Sequence, residues 1–99
     1  MLTKTEILLF LKKNKAYLHD QFGVAQIGIF GSFARDEADE KSDIDFLVEI
    51  DAPIEVYKET KEALHNYLKN AFGREVDMAN PRSLKPHYRA RILKQALYA

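Results

Sequence analysis

The sequence predicts a small mixed α/β (α+β) domain, a three-stranded sheet flanked by four helices in the order α-β-α-β-α-β-α. Three observations predict it. Residues 24–30, 43–50 and 75–79 are short runs rich in β-branched and apolar side chains, as strands are. The segments around them carry apolar residues at spacings of three and four, the signature of amphipathic helices. No repeat, low-complexity tract or linker divides the 99 residues, so one domain spanning 1–99 with one modest core is expected.

Each element has its own local reason. Thr3-Lys-Thr-Glu6 forms a capping box, with Leu2 and Ile7 placed as a hydrophobic staple. The helix then runs to about Leu18, turning Ile7, Leu8, Leu11 and Leu18 inward, and Gly23 closes the region. Val24 to Phe30 is the first strand. Ser32 is placed to cap a short helix through about Ala38, and polar residues 39–42 make a loop over the site. Asp43 to Ile50 is the second strand. Pro53 suits the start of a long helix from about Ile54 to Phe72, with Tyr57, Thr60, Leu64, Tyr67, Leu68 and Ala71 as its buried stripe. Gly73 stops it. Glu75 to Ala79 is the third strand, Pro81 and Pro86 bracket a turn, and a last helix carries Tyr88, Ile92, Leu93, Ala96 and Leu97.

Composition narrows the function classes. Apolar residues make up 46% and charged residues 30%, a globular rather than a disordered balance. The absence of cysteine excludes disulfides and thiolate-ligated zinc. No apolar run approaches the ~20 residues of a membrane span, and no signal-peptide h-region opens the chain, so a cytoplasmic location is expected. Fifteen basic and fifteen acidic side chains cancel, which argues against nucleic acid as the main partner. Their distribution is uneven. Eight acids lie between positions 36 and 51, where Lys41 is the one base, whereas Arg82, Lys85, Arg89, Arg91 and Lys94 follow Asp77 with no acid among them.

The candidate chemistry lies in Gly31-Ser32…Asp43-Ile-Asp45. Strand residues two apart face one side, so Asp43 and Asp45 point together while Ile44 and Phe46 point to the other face. Like charges this close resist ionisation, and a hard divalent cation such as Mg²⁺ removes the conflict. Asp77, between Val76 and Met78, brings a third carboxylate if its strand pairs beside the second. Three such acids suit two metal ions ~3.5–4 Å apart, the arrangement used in phosphoryl and nucleotidyl transfer. Asp77 is then placed to help ionise an attacking hydroxyl. Gly31 permits close approach of a ligand to the backbone, the following helix start offers N–H groups to phosphate, Ser32 adds a hydroxyl and Arg35 a cation. Together these residues describe a site for a nucleoside triphosphate with magnesium.

The same residues resemble a known family. The spacing from Gly31-Ser32 to Asp43-Ile-Asp45 is similar to the signature of the nucleotidyltransferase superfamily that includes DNA polymerase beta. Phe33-Ala-Arg35, Ser42, Val76-Asp77-Met78 and the ending Ile92-Leu-Lys-Gln-Ala-Leu-Tyr98 resemble its minimal branch, the MNT domain, whose members serve as antitoxins to HEPN ribonuclease toxins. The resemblance implies a mixed sheet, Mg²⁺ and ATP as donor. It maps Asp43 and Asp45 onto the metal-binding pair, Asp77 onto the third carboxylate, and Gly31-Ser32 onto the triphosphate contact. It further implies transfer of AMP to a tyrosine of the partner toxin. Asp36 stands where the branch usually has glycine, and aspartate tolerates left-handed backbone better than most residues.

Larger members carry further domains to hold the acceptor, so this chain is expected to act in trans on a protein that brings its own docking surface, with the basic last helix as a contact. A homo-oligomer is compatible with the same residues. Two alternatives remain open at this level: a module that neutralises its partner by occlusion alone, and transfer to RNA or a small molecule. His19, His65 and His87 show no ligand spacing and read as surface or capping residues. Tyr57, Tyr67 and Tyr88 lie on apolar stripes and read as core.

Overall fold

Thr3 opens the first helix as its capping box predicts. In the computed structural model, which describes residues 1–99, the Glu6 N–H donates to the Thr3 hydroxyl at 3.2 Å and the Thr3 N–H donates to the Glu6 carboxylate at 3.1 Å. Helix α1 spans Lys4–Lys13, and Leu2 packs against the core behind it. The helix expected to continue to Leu18 is instead two helices. The Asn14 side-chain amide donates to the Phe10 carbonyl at 2.8 Å beside Asn14's own N–H at 3.0 Å, the local competition by which asparagine interrupts helices. Helix α2, Lys15–Phe22, restarts after this break and ends at left-handed Gly23. The bend lets Ile7, Leu11 and Leu18 all reach one core.

Strand β1 is Val24–Phe30. Helix α3, Gly31–Ala34, is a single turn, shorter than expected and begun two residues earlier, so Phe30 takes the cap position and Ser32 lies inside the turn. Strand β2 is Ile44–Ile50; Asp43 stands one residue before it. A 3₁₀ turn at Ile54–Val56 leads into α4, Tyr57–Phe72, which Gly73 terminates. Strand β3 is Val76–Ala79, followed by a 3₁₀ turn at Pro81–Ser83 and α5, Pro86–Gln95. The chain does not stay helical through Leu97. Ala96 is extended, and Leu97–Tyr98 form a fourth strand, β4.

The mixed α/β class holds, with four strands and five α-helices where three and four were expected. The sheet order is β3-β2-β1-β4, with β1 antiparallel to both β2 and β4, and β2 parallel to β3 across the α4 crossover. The extra strand depends on Gly28, which pairs with Tyr98; a Cβ at Gly28 would press on the Leu97 carbonyl and the Tyr98 backbone.

One sheet face carries the core. Ile27, Ile29, Ile44, Phe46, Val48 and Val76 meet Ile7, Leu11, Leu18, Leu64 and Leu68 from the helices, all buried. Of the expected α4 stripe, Leu64 and Leu68 are fully buried, Tyr57, Thr60 and Tyr67 are half-buried, and Ala71 faces solvent. Tyr67 sits in an aromatic group with Phe10, Tyr17 and Phe22. Helix α5 buries none of its residues, and Tyr88 is 50% and Leu93 38% exposed, contrary to the core role expected of its stripe. The reason is its location. It packs over β1 and α3 on the second face, where Asp45, Glu49 and Asp77 leave mainly Phe30, Leu47 and Ala79 as apolar surface.

Because Gly28 alone admits the last strand, Gly28→Ala is expected to unpair β4 and lower stability by about 1–3 kcal/mol. Urea unfolding of the two proteins checks this, and equal midpoints would show that β4 contributes nothing.

Candidate active site

Alternation along β2 sends Ile44, Phe46 and Val48 into the core and Asp45 to the opposite face. The same alternation buries Val76 and exposes Asp77 on β3. The parallel register sets Asp45 directly beside Asp77, on strands about 4.8 Å apart. Burial is the largest effect on Asp45. The charges of Asp77 and Asp43 and a hydrogen bond with the Asp77 carboxyl add to it, pushing Asp45 up to about 6 against the opposing pull of Arg35. The structure thus brings Asp45 and Asp77 into contact and leaves Asp43 exposed at the strand entrance, where its charge still reaches Asp45.

Gly31 completes the pocket from the other side. Its φ is +73°, and a Cβ there would collide with the Asp45 carboxylate. Both facts require glycine: the backbone lies in the left-handed region, and the space belongs to a carboxyl group. Ser32 follows, half-buried in the turn. Arg35, at the end of that turn, donates from Nε to Glu37 at 2.9 Å and from Nη1 to the Gln95 Oε1 at 2.8 Å. The Gly31 N–H donates to the same Gln95 oxygen at 2.9 Å.

The acidic segment between α3 and β2 is more ordered than a solvated loop. Asp39 accepts from the Lys41 N–H at 2.8 Å and from the Ser42 hydroxyl at 3.2 Å, which holds its carboxyl below the usual range. Arg74 donates to the carbonyls of Asp39 at 2.9 Å and Ser42 at 2.7 Å, with its guanidinium 5.1 Å from the Phe33 ring centre. This tie sets the approach to Asp43. Asp36 adopts the left-handed backbone expected of a glycine stand-in, at φ +58°, and its carboxylate pairs with Lys4 at 2.7 Å. His65 is half-buried and lies 3.0 Å from the Val76 carbonyl, bracing β3, so it is more than a surface residue.

No three of the His, Asp and Glu side chains are arranged as a ready-made ion cluster. The donor set nevertheless suits Mg²⁺: all-oxygen carboxylates, uncompensated repulsion at Asp45, and a third acid nearby on an exposed side chain. Sequence reasoning missed Gln95 and Arg74. Both reach the site across more than thirty residues of chain, and neither carries a local pattern that announces it.

A nucleotidyltransferase domain model matches residues 11–99. The chain belongs to the nucleotidyltransferase domain family. Protein adenylyltransferase MntA of Thermococcus cleftensis is 38% identical over 98 residues, covering 99% of this chain and 97% of that protein. A solved structure described as a minimal nucleotidyltransferase superposes with a TM-score of 0.76 at 30% identity, covering 93% and 92% of the two chains. A toxin-antitoxin structure with AMP-PNP shares the fold, with a TM-score of 0.68 at 23% identity over 88% of this nucleotidyltransferase and 69% of that chain.

The raised Asp45 carboxyl has a consequence for stability. An unfolded aspartate titrates near about 3.9, so the folded state gains while Asp45 is protonated and loses that advantage as pH rises through about 6. Asp45 is half-open to solvent, which discounts the penalty to about 1 kcal/mol. Asp45→Asn is therefore expected to raise Tm by about 4–8 °C at pH 7.5 and to leave it little changed at pH 4. Circular-dichroism melts decide the matter, since a lower Tm at pH 7.5 would mean that the carboxylate is not strained.

Proposed function

We propose that this nucleotidyltransferase moves AMP from ATP, with Mg²⁺, to a tyrosine hydroxyl on a HEPN-type toxin partner, and so acts in the cytoplasm as the antitoxin of that pair. The observation that carries the reading is the Asp45–Asp77 contact facing the Gly31 turn. The MntA relative, a protein adenylyltransferase, supports the reaction class, and the fold shared with a toxin-antitoxin structure supports the setting.

In this reading Asp43, Asp45 and Asp77 hold the metal, probed most directly through Asp45, where burial and charge already favour a cation. Bound Mg²⁺ would neutralise phosphate oxygens and favour the ionised form of the attacking hydroxyl. Gly31, Ser32 and Arg35 hold the triphosphate through a turn whose glycine admits close approach, a hydroxyl and a guanidinium. The acceptor oxygen attacks the α-phosphorus in line. Its O–P bond forms as the α–β bridging bond breaks, pyrophosphate leaves, and Asp77 takes the hydroxyl proton. The acceptor is supplied in trans. Exposed Leu93 on α5, grouped with Leu84, Pro86 and Ala90 beside Arg89, offers a protein partner a small apolar patch with a basic neighbour.

The test is incubation with α-labelled ATP, Mg²⁺ and the protein encoded beside this one. Label is expected on a partner tyrosine, and Asp43→Ala with Asp45→Ala is expected to reduce it by on the order of 10³. Undiminished label in the double variant would refute the assigned residues. Protection of cells by an unlabelling variant would instead favour occlusion of the partner.

A further inference from the structure

We propose that Gln95 is a positioning residue of the triphosphate turn, an inference that rests on reading this site as a nucleotide site. The geometry is specific. One oxygen, Gln95 Oε1, receives the Gly31 N–H at 2.9 Å and the Arg35 Nη1 at 2.8 Å, from a residue 64 and 60 positions away. Two donors that share one acceptor are held together, and the shared oxygen ties the Gly31 turn to the Arg35 guanidinium.

Arg35 is exposed, so its orientation is not set by packing. Glu37 holds Nε at 2.9 Å and Gln95 holds Nη1, which fixes the guanidinium along two of its edges. Without Gln95 the group keeps only the Glu37 contact and can swing about it. The acceptor's chemistry also fits the task. A neutral amide oxygen gathers both donors without adding charge to a face that already carries Asp45 and Asp77. With Nε and Nη1 held, Arg35 keeps its Nη2 edge for a phosphate oxygen, an ionic hydrogen bond stronger than a neutral one.

The fold places Gln95 firmly. It is the last residue of α5, and the next residues are pinned to the sheet as β4, where Leu97 and Tyr98 pair with β1 and the Ala99 N–H donates to the Ile27 carbonyl at 3.1 Å. Gln95 therefore reaches the site from the end of a helix that the following strand anchors to the sheet, as positioning demands.

The experiment measures ATP-analogue binding with Mg²⁺ by calorimetry, and transfer kinetics, for wild type, Gln95→Met, Gln95→Ala, Arg35→Ala and the Arg35→Ala/Gln95→Met pair. Methionine keeps the length and packing and removes the acceptor. Gln95→Met is expected to raise Kd and KM for the nucleotide by about ten-fold, with kcat changed by less than about two-fold. If Gln95 acts through Arg35, the double variant binds no worse than Arg35→Ala alone. An unchanged Kd in Gln95→Met, or losses that multiply in the double variant, overturns this role. Unchanged melting temperatures separate positioning from a folding defect, and Gln95→Ala repeats the comparison should methionine pack badly. A wild type that binds no nucleotide overturns the site reading and Gln95's role together; a wild type that binds while Gln95→Met binds equally well overturns Gln95 alone.

Discussion

Two carboxylates held side by side by parallel strand register govern much of this molecule. Asp45 and Asp77 occupy matched positions on β2 and β3, and the register holds their backbones side by side because each strand's other face lies in the core. The conflict is therefore built into the backbone. It shows in the raised Asp45 carboxyl and in the counter-pull of Arg35. It also explains why Gly31 must be glycine, since the space beside the turn is filled by the Asp45 carboxylate. A pair of acids held in repulsion at neutral pH is a stability cost that a purely structural sheet would not retain.

The rest of the fold divides along the sheet. One face is apolar and dry, closed by α1, α2 and α4 over side chains from β1, β2 and β3. The other is polar and open, and α5 crosses it with no buried residue of its own. Three ties from distant parts of the chain hold the segments around the site. Arg74 fixes the approach to Asp43, Gln95 gathers the Gly31 turn and Arg35, and Lys4 neutralises Asp36 at its left-handed turn. Each is a hydrogen bond or ion pair between groups far apart in sequence, so the site depends on the fold that brings them together.

Much of the site was readable from the chain itself. The alternation around Asp43-Ile-Asp45 and Val76-Asp77-Met78 identified the faces, and Gly31-Ser32 identified the turn, because strand period and glycine tolerance are local properties. The same holds for the capping box at Thr3 and the stop at Gly73. Other features were not readable. The break at Asn14 coincides with a side-chain amide that shares the Phe10 carbonyl with the residue's own N–H. The end of α5 was hidden because its apolar spacing runs on through Leu97, and only pairing with Gly28 pulls those residues into a strand.

By itself, the sequence determined which residues could form strands and helices, which strand faces bear acids, and where a glycine had to stand, since all of these follow from neighbours a few residues apart. Tertiary structure alone decided that Asp77 lies beside Asp45 rather than elsewhere on an edge, that Asp43 sits exposed just before β2, and that Gln95 and Arg74 reach the site. Those outcomes depend on strand register across a sixteen-residue crossover helix and on contacts between chain segments far apart, and no local periodicity encodes a distance through space.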